Sequence, residues 1–211
     1  MPYVEAAVRR EQLIAAARKS FASRGVAKTS LRFIAAGAGV PLATMQYVFP
    51  SKAELFHAVI EDIVDEIAQI LADSAITDQG LEYAIRQGLD TYWDRLVRGG
   101  RDLQLLQYEL TMYALRTPGY ENLPRFQYQR YTAVIASWCR QAAEQAGESV
   151  AVPVDHLARM IVAGTDGLIL QYVCEPDDTR AQAGRDTLAQ MVVELAGLQP
   201  IAAGRGVPRD T

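Results

Sequence analysis

The 211-residue chain reads as all-α: a small three-helix head joined to a larger helical body. Three observations carry that reading. Apolar residues recur every three or four positions along nearly the whole length, glycine and proline cut the pattern into helix-sized pieces, and no stretch alternates as a strand would. Half of the residues are hydrophobic, enough to bury a substantial core. The net charge of −4 conceals a split. Residues 1–52 hold eight basic side chains against Glu5 and Glu11, a net of +6, whereas the remainder holds 13 basic and 23 acidic ones, a net of −10. A basic head on an acidic body suits contact with a polyanion at one end only.

From Val4 to Arg24, Leu13, Ala17 and Phe21 recur every four places with Ile14 alongside, which predicts an amphipathic helix that Gly25 stops. Arg9 and Arg10 on it suit solvent and a phosphate equally. The stretch Thr29–Leu55 follows. Leu31, Ile34, Ala35 and Ala38 share one face of a short second helix, with Thr29 or Ser30 as its N-cap. Gly39 permits a positive-φ turn, Val40 plugs it, and Pro41 fits the first turn of a third helix running to about Tyr47. Val40, Met45 and Phe49 fill the buried side of that helix, which leaves Leu42, Ala43, Thr44, Gln46 and Tyr47 to face outward. Water would favour Lys and Glu there. Small, hydroxyl, amide and phenol groups instead suit close approach to base edges and phosphates in a major groove. The head is therefore a helix-turn-helix of DNA-reading type. Ser51 and Glu54 form a capping box, so a fourth helix starts with Lys52 beside its electropositive end, where a phosphate would sit well.

Leu55, Val59, Ile63, Ile67 and Ile70 track one face of that fourth helix to about Asp73. Further helices are predicted over Asp78–Arg98, Asp102–Arg116 and from Asn122 to about Ala146. These three carry most of the aromatics, among them Tyr83, Tyr92, Trp93, Tyr108, Tyr113, Tyr120, Phe126, Tyr128, Tyr131 and Trp138. Tyr and Trp pair an apolar body with a polar tip, which suits ordinary core and also a cavity for a mostly apolar molecule. Trp93, Tyr108, Met112 and Phe126 are the candidate ligand contacts. The helix over Asp155–Cys174 is apolar nearly all round and must be covered twice, with Gly164 and Gly167 permitting close approach. Asp166 within it suits a hydrogen bond at a subunit seam or a cationic ligand. A last helix over Thr179–Leu198 has the apolar stripe Leu188, Met191, Val192, Leu195 and Leu198. Paired with their copies in a second chain, the last two helices would form a four-helix interface.

The segments SLRFIAAGAGV and FPSKAELF, with the helix Arg9–Gly25 and the short reading helix between, resemble the N-terminal domain of the tetracycline-repressor (TetR) family of transcription regulators. The resemblance implies an all-helical homodimer whose C-terminal domain binds a small ligand and thereby alters DNA binding. It implies a helix-turn-helix domain at 1–50 and a ligand-binding and dimerisation domain at 51–200; the tail at 201–211, rich in Gly, Pro and Arg, is expected to be flexible. By position, Arg32 resembles the family's second-helix contact to DNA, Thr44 and Tyr47 its reading-helix contacts, and Lys52 its phosphate contact. With Ser30, Leu42, Ala43 and Gln46 these make the candidate DNA-binding set. Two positions depart from the pattern: where many members have Tyr at 46 and His or Tyr at 48, this chain has Gln46 and Val48. Gln46 suits an adenine edge. The expected partners are a double-stranded operator, a small apolar or aromatic effector and a second copy of the chain. A helical enzyme or carrier with a vestigial head is the rival reading.

Cys139 and Cys174 lie far apart, without the spacing of a disulfide framework or zinc site, which fits a reducing cytoplasm. His57 and His156 have no partner at metal-ligand spacing, and no nucleophile elbow, phosphate loop or paired carboxylate set appears. No catalytic residue, metal or cofactor is expected. The N-terminus lacks a signal core, and no apolar run is expected to reach the length of a bilayer span.

Overall fold

The computed structural model describes residues 6–74, 76–98 and 100–200; the expected flexible tail lies outside them. Helices follow one another as α1 (Ala6–Arg24), α2 (Leu31–Gly37), α3 (Leu42–Val48), α4 (Lys52–Ser74), α5 (Leu81–Tyr92), α6 (Arg101–Arg116), α7 (Asn122–Ala146), α8 (Val154–Cys174) and α9 (Asp178–Ala196). Local chemistry sets several boundaries. Ser30 is the N-cap of α2, its hydroxyl accepting from the Phe33 N–H at 3.3 Å, while Thr29 turns inward and donates to the Gly25 carbonyl at 2.8 Å. Gly39 takes φ +67° at the turn into α3. The Ser51 hydroxyl accepts from the Glu54 N–H at 3.2 Å, and the Glu54 carboxylate closes back on that same hydroxyl.

Two boundaries differ from expectation. Helix α5 starts at Leu81 rather than Asp78, because Gly80 stands at φ +89° and the Leu81 N–H is held by the Glu148 carboxylate at 2.9 Å. At its other end α5 widens into a π-turn over Trp93–Val97, where the Arg98 N–H reaches back to the Trp93 carbonyl. A two-residue antiparallel pairing also joins β1 (Glu148–Ser149) to β2 (Gln199–Pro200). Such a pairing is too short to leave a period-two signature in sequence.

The head is α1 to α3 around Leu13, Phe21, Ile34, Met45 and Phe49, all fully buried. It is fastened to the body along α4. Phe21 meets Phe56 edge-on at 6.3 Å, and Phe56 in turn meets Tyr113 and Tyr120 at 5.2 and 5.1 Å. Arg18 on α1 spans Asp62 and Glu66 of α4, at 2.7 and 2.5 Å. The body packs α4 and α8 on α7, and α9 on both α5 and α8.

Helix α8 is long and apolar enough, by length and composition, to cross a membrane, contrary to the expectation that no run reaches that length. In this fold one side of it packs on α7 and α9 while much of the rest is exposed, and it carries Asp155, Arg159 and Asp166. Gly164 does admit close approach: a Cβ there would run into the Leu188 side chain of α9. Gly167 faces open space. The α9 stripe is divided. Val192 is buried within the subunit and Leu188 half-buried, because α9 must cover α5 as well as α8; only Met191 and Leu195 stay exposed, with Leu170 of α8.

Candidate DNA interface and effector cavity

Seven residues cannot form a stable helix in isolation, so α3 exists because one side of it is packed. Met45 and the following Phe49 are fully buried against α1 and α2, and the guanidinium of Arg10 covers the Phe49 ring at 4.7 Å. On the opposite side Ala43, Gln46 and Tyr47 are exposed, Tyr47 by 86%. Arg32 of α2 is exposed too, as is Arg24, whose guanidinium lies 4.1 Å over the Phe33 ring. Leu42 and Thr44, expected to face outward, are half-buried. Leu42 lies one turn before Met45 and shares its inward side, and a helix this short cannot hold its place on a single side chain. Ser30 is exposed, its hydroxyl accepting the cap hydrogen bond from Phe33.

Lys52 departs most from expectation. Its ammonium turns inward, donating to the Val26 carbonyl at 2.9 Å and lying 5.5 Å over the Tyr113 ring, and burial lowers its pKa. The Val26 N–H donates to the Glu109 carboxylate of α6 at 2.7 Å. One peptide segment of the head, the turn between α1 and α2, is thus clamped on both sides, by α4 through Lys52 and by α6 through Glu109. Gly25 makes room for the second arm: it sits at φ +81°, and a Cβ there would stand 2.8 Å from a Glu109 carboxylate oxygen. No sequence signal links residues 26, 52 and 109, because the clamp is made by main-chain atoms of Val26.

In the body, α4, α5, α7 and α8 enclose a small cavity of about 40 Å³, partly open to solvent. Ile67, Leu71, Leu89, Ile135, Ile161 and Val162 form its apolar walls, Gly88 leaves space opposite the Trp138 ring, and Tyr92, Tyr131, Thr165 and Asp166 bring polar atoms. Asp166 and Val162 also belong to a wide outer cleft with Thr111, Met112, Leu115, Tyr128 and Arg159, so the carboxylate stands between cavity and cleft. Burial raises the Asp166 pKa, opposed by a hydrogen bond from Tyr128. Burial and the nearby carboxylate together hold the phenols of Tyr92, Tyr128 and Tyr131 well above their ordinary value.

Of the four expected ligand contacts, only Met112 lines either space, at the outer cleft, where it is half exposed. Trp93 is 1% exposed in the packing between α5, α8 and α9, with Tyr172 at 5.2 Å and the Arg185 guanidinium at 4.7 Å. Phe126 stacks on His57 at 6.4 Å. Tyr108 stops short of the wall, its hydroxyl donating to the Asp166 carbonyl at 3.0 Å. The cavity is lined instead by Tyr92, Tyr131 and Trp138 from the same aromatic set. Asp166, an acid in the middle of an apolar helix, was the one sequence signal that pointed to it.

Comparison with known proteins agrees with this arrangement. The model for bacterial regulatory proteins of the tetR family matches residues 13–59, and the model described as BetI-type transcriptional repressor, C-terminal, matches residues 84–197. The HTH-type nicotine-responsive transcriptional repressor HdnoR of Paenarthrobacter nicotinovorans is 28% identical over 190 residues, covering 90% of this chain and 96% of its own. Among solved structures, a transcriptional regulator from Rhodococcus sp. Rha1 shares the fold at TM-score 0.72 and 19% identity, covering 90% of this chain and 99% of its own. The multidrug binding protein EbrR, solved with imidazole, aligns at TM-score 0.65 and 25% identity, over 93% of this chain and 98% of its own. With the head matched by one family model and over half of the chain by the other, this protein belongs to the TetR family of bacterial transcriptional regulators.

Proposed function

We propose that this regulator is a cytoplasmic homodimeric repressor, with a head ending near residue 50, that leaves its operator when a small apolar or aromatic molecule enters the cavity among α4, α5, α7 and α8. The observation that carries the reading is Tyr47, a large aromatic 86% exposed on a helix whose other side is fully buried. Nothing in the subunit compensates that exposure, and a major groove does. Ala43, Gln46 and Tyr47 contact base edges and phosphates, Leu42 and Thr44 flank them, and Arg32 and Ser30 approach the backbone. Lys52 orients the head rather than holding a phosphate.

Two heads one turn of B-DNA apart, about 34 Å, would read a near-palindromic site. The exposed Leu170, Met191 and Leu195 support pairing through α8 and α9. Helix α6 supports the coupling: Tyr108 donates to the main-chain carbonyl of Asp166 on α8, and the next residue, Glu109, holds the head. An effector that shifts α8 therefore shifts the clamp, and linkage requires that operator binding weaken effector binding by the same factor. HdnoR is described as nicotine-responsive, which makes small heteroaromatic compounds a reasonable first set to try.

Selection of bound DNA from a random pool should return a near-palindrome whose affinity falls steeply with salt, and a compound screen should release it. Recovery of no sequence preference overturns the reading. Gln46→Ala should relax base preference at one operator position in each half-site, seen as a changed selection profile.

A further inference from the structure

We propose that the Arg24 guanidinium, seated on the Phe33 ring at the corner between α1 and α2, is the phosphate anchor of the head, in the place that Lys52 has given up. Its ligand is a backbone phosphate of duplex DNA. The proposal rests on the operator reading above and adds to it a residue outside the reading helix.

A duplex presents rows of phosphates, and a head that binds it needs cations that the protein itself does not already neutralise. The head's cations divide on that criterion. Arg18 is spent on Asp62 and Glu66 of α4, and Lys52 turns inward to the Val26 carbonyl. Arg24, Lys28 and Arg32 are exposed, and among the described residues none of the three is in an ion pair. They share the corner that carries Ser30, the cap of α2. Arg24 differs from the other two in being held. Its guanidinium lies 4.1 Å from the centre of the Phe33 ring, and that ring is 37% exposed, so the stack stands at the surface. An arginine in free solution loses side-chain freedom when it grips a phosphate, and one already laid on a ring has lost part of it beforehand. Stacking uses the face of the guanidinium. The N–H edge stays open, and that edge is the part that meets two phosphate oxygens at once. Lys28 and Arg32 add to the local positive potential. Arg24 also ends α1, where a cation suits the negative end of the helix dipole, but that role does not call for an exposed aromatic ring against it.

The test titrates the full-length protein against a fluorescent duplex of its selected operator over a series of salt concentrations. Arg24→Gln should reduce the slope of log affinity against log salt by about 0.9 per head, close to two for a dimer, and weaken binding on the order of 10- to 100-fold at about 0.1 M salt. Base preference should stay that of the wild type, because a phosphate carries no sequence. Phe33→Leu should weaken binding several-fold in the wild-type background and have no effect in the Arg24→Gln background, the mark of a ring that acts through Arg24. Lys52→Gln should keep the wild-type slope, whatever it does to the orientation of the head. An unchanged slope in Arg24→Gln, a Phe33→Leu effect that persists without Arg24, or a slope lost with Lys52 instead overturns the proposal. So does an Arg24→Gln protein that melts lower yet binds as the wild type does, which would assign Arg24 to the helix end alone. Selection separates this from the broader reading. If the wild type selects no sequence, the operator reading and the anchor fall together; if it selects one and Arg24→Gln binds equally well, only the anchor falls.

Discussion

Asp166 has a consequence for stability. Its folded pKa is raised by burial, so the fold favours the neutral acid. Stability from that source is fully present below the unfolded value and is lost as pH rises through the folded one. Asp166→Asn should therefore melt higher than wild type at pH 7, with the gap closing as pH falls toward about 4; differential scanning fluorimetry across that range checks it. The two tryptophans separate core from cavity. Trp138 lies at the cavity wall and Trp93 in closed packing, so effector binding should change the emission of Trp138. A Trp93→Phe variant should keep the ligand-induced change, and Trp138→Phe should lose most of it.

Helix α6 shows how one helix can serve two distant sites. Successive residues point to different sides, so Tyr108 reaches α8 while Glu109 reaches the head. The Thr111 hydroxyl meets the Gln127 amide of α7 at 3.1 Å, tying the same helix to the aromatic wall. Glu109→Ala leaves the Val26 N–H without its acceptor and should cost about 1–3 kcal/mol of stability. Its diagnostic effect is on coupling. Effector affinity in the absence of DNA should hold, while the effector concentration needed to release the operator should rise several-fold, measured by fluorescence anisotropy. Unchanged release would remove α6 from the pathway.

The charge split gives the assembled protein its polarity. A head of +6 meets DNA while a body of −10 is held away from it, so an overall charge of −4 is compatible with operator binding. Bivalency multiplies the affinity of each head, provided that both engage at once. Met191 and Leu195 are the exposed part of α9, and a double Met191→Glu, Leu195→Glu variant sets like charges against their copies across the proposed seam. Sedimentation should then show a monomer. Operator affinity should fall by about 100-fold or more with the helical fold retained.

The all-α architecture, the helix-turn-helix, its turn glycine and the capping box at Ser51 were legible in the sequence because each depends on contacts within one turn or two of the chain. Spacing and capping chemistry report such contacts directly. The charge split was legible for the same reason, being additive over the residues. What the sequence could not decide was which aromatic meets a cavity and which meets the core: Trp93 and Trp138 look alike in one dimension, and only the packing of α5, α7, α8 and α9 separates them. The Lys52–Val26–Glu109 clamp was invisible because two of its hydrogen bonds end on main-chain atoms, which every residue possesses. Local rules set the elements, and long-range packing assigned each side chain its neighbour, since burial depends on what the rest of the chain places opposite.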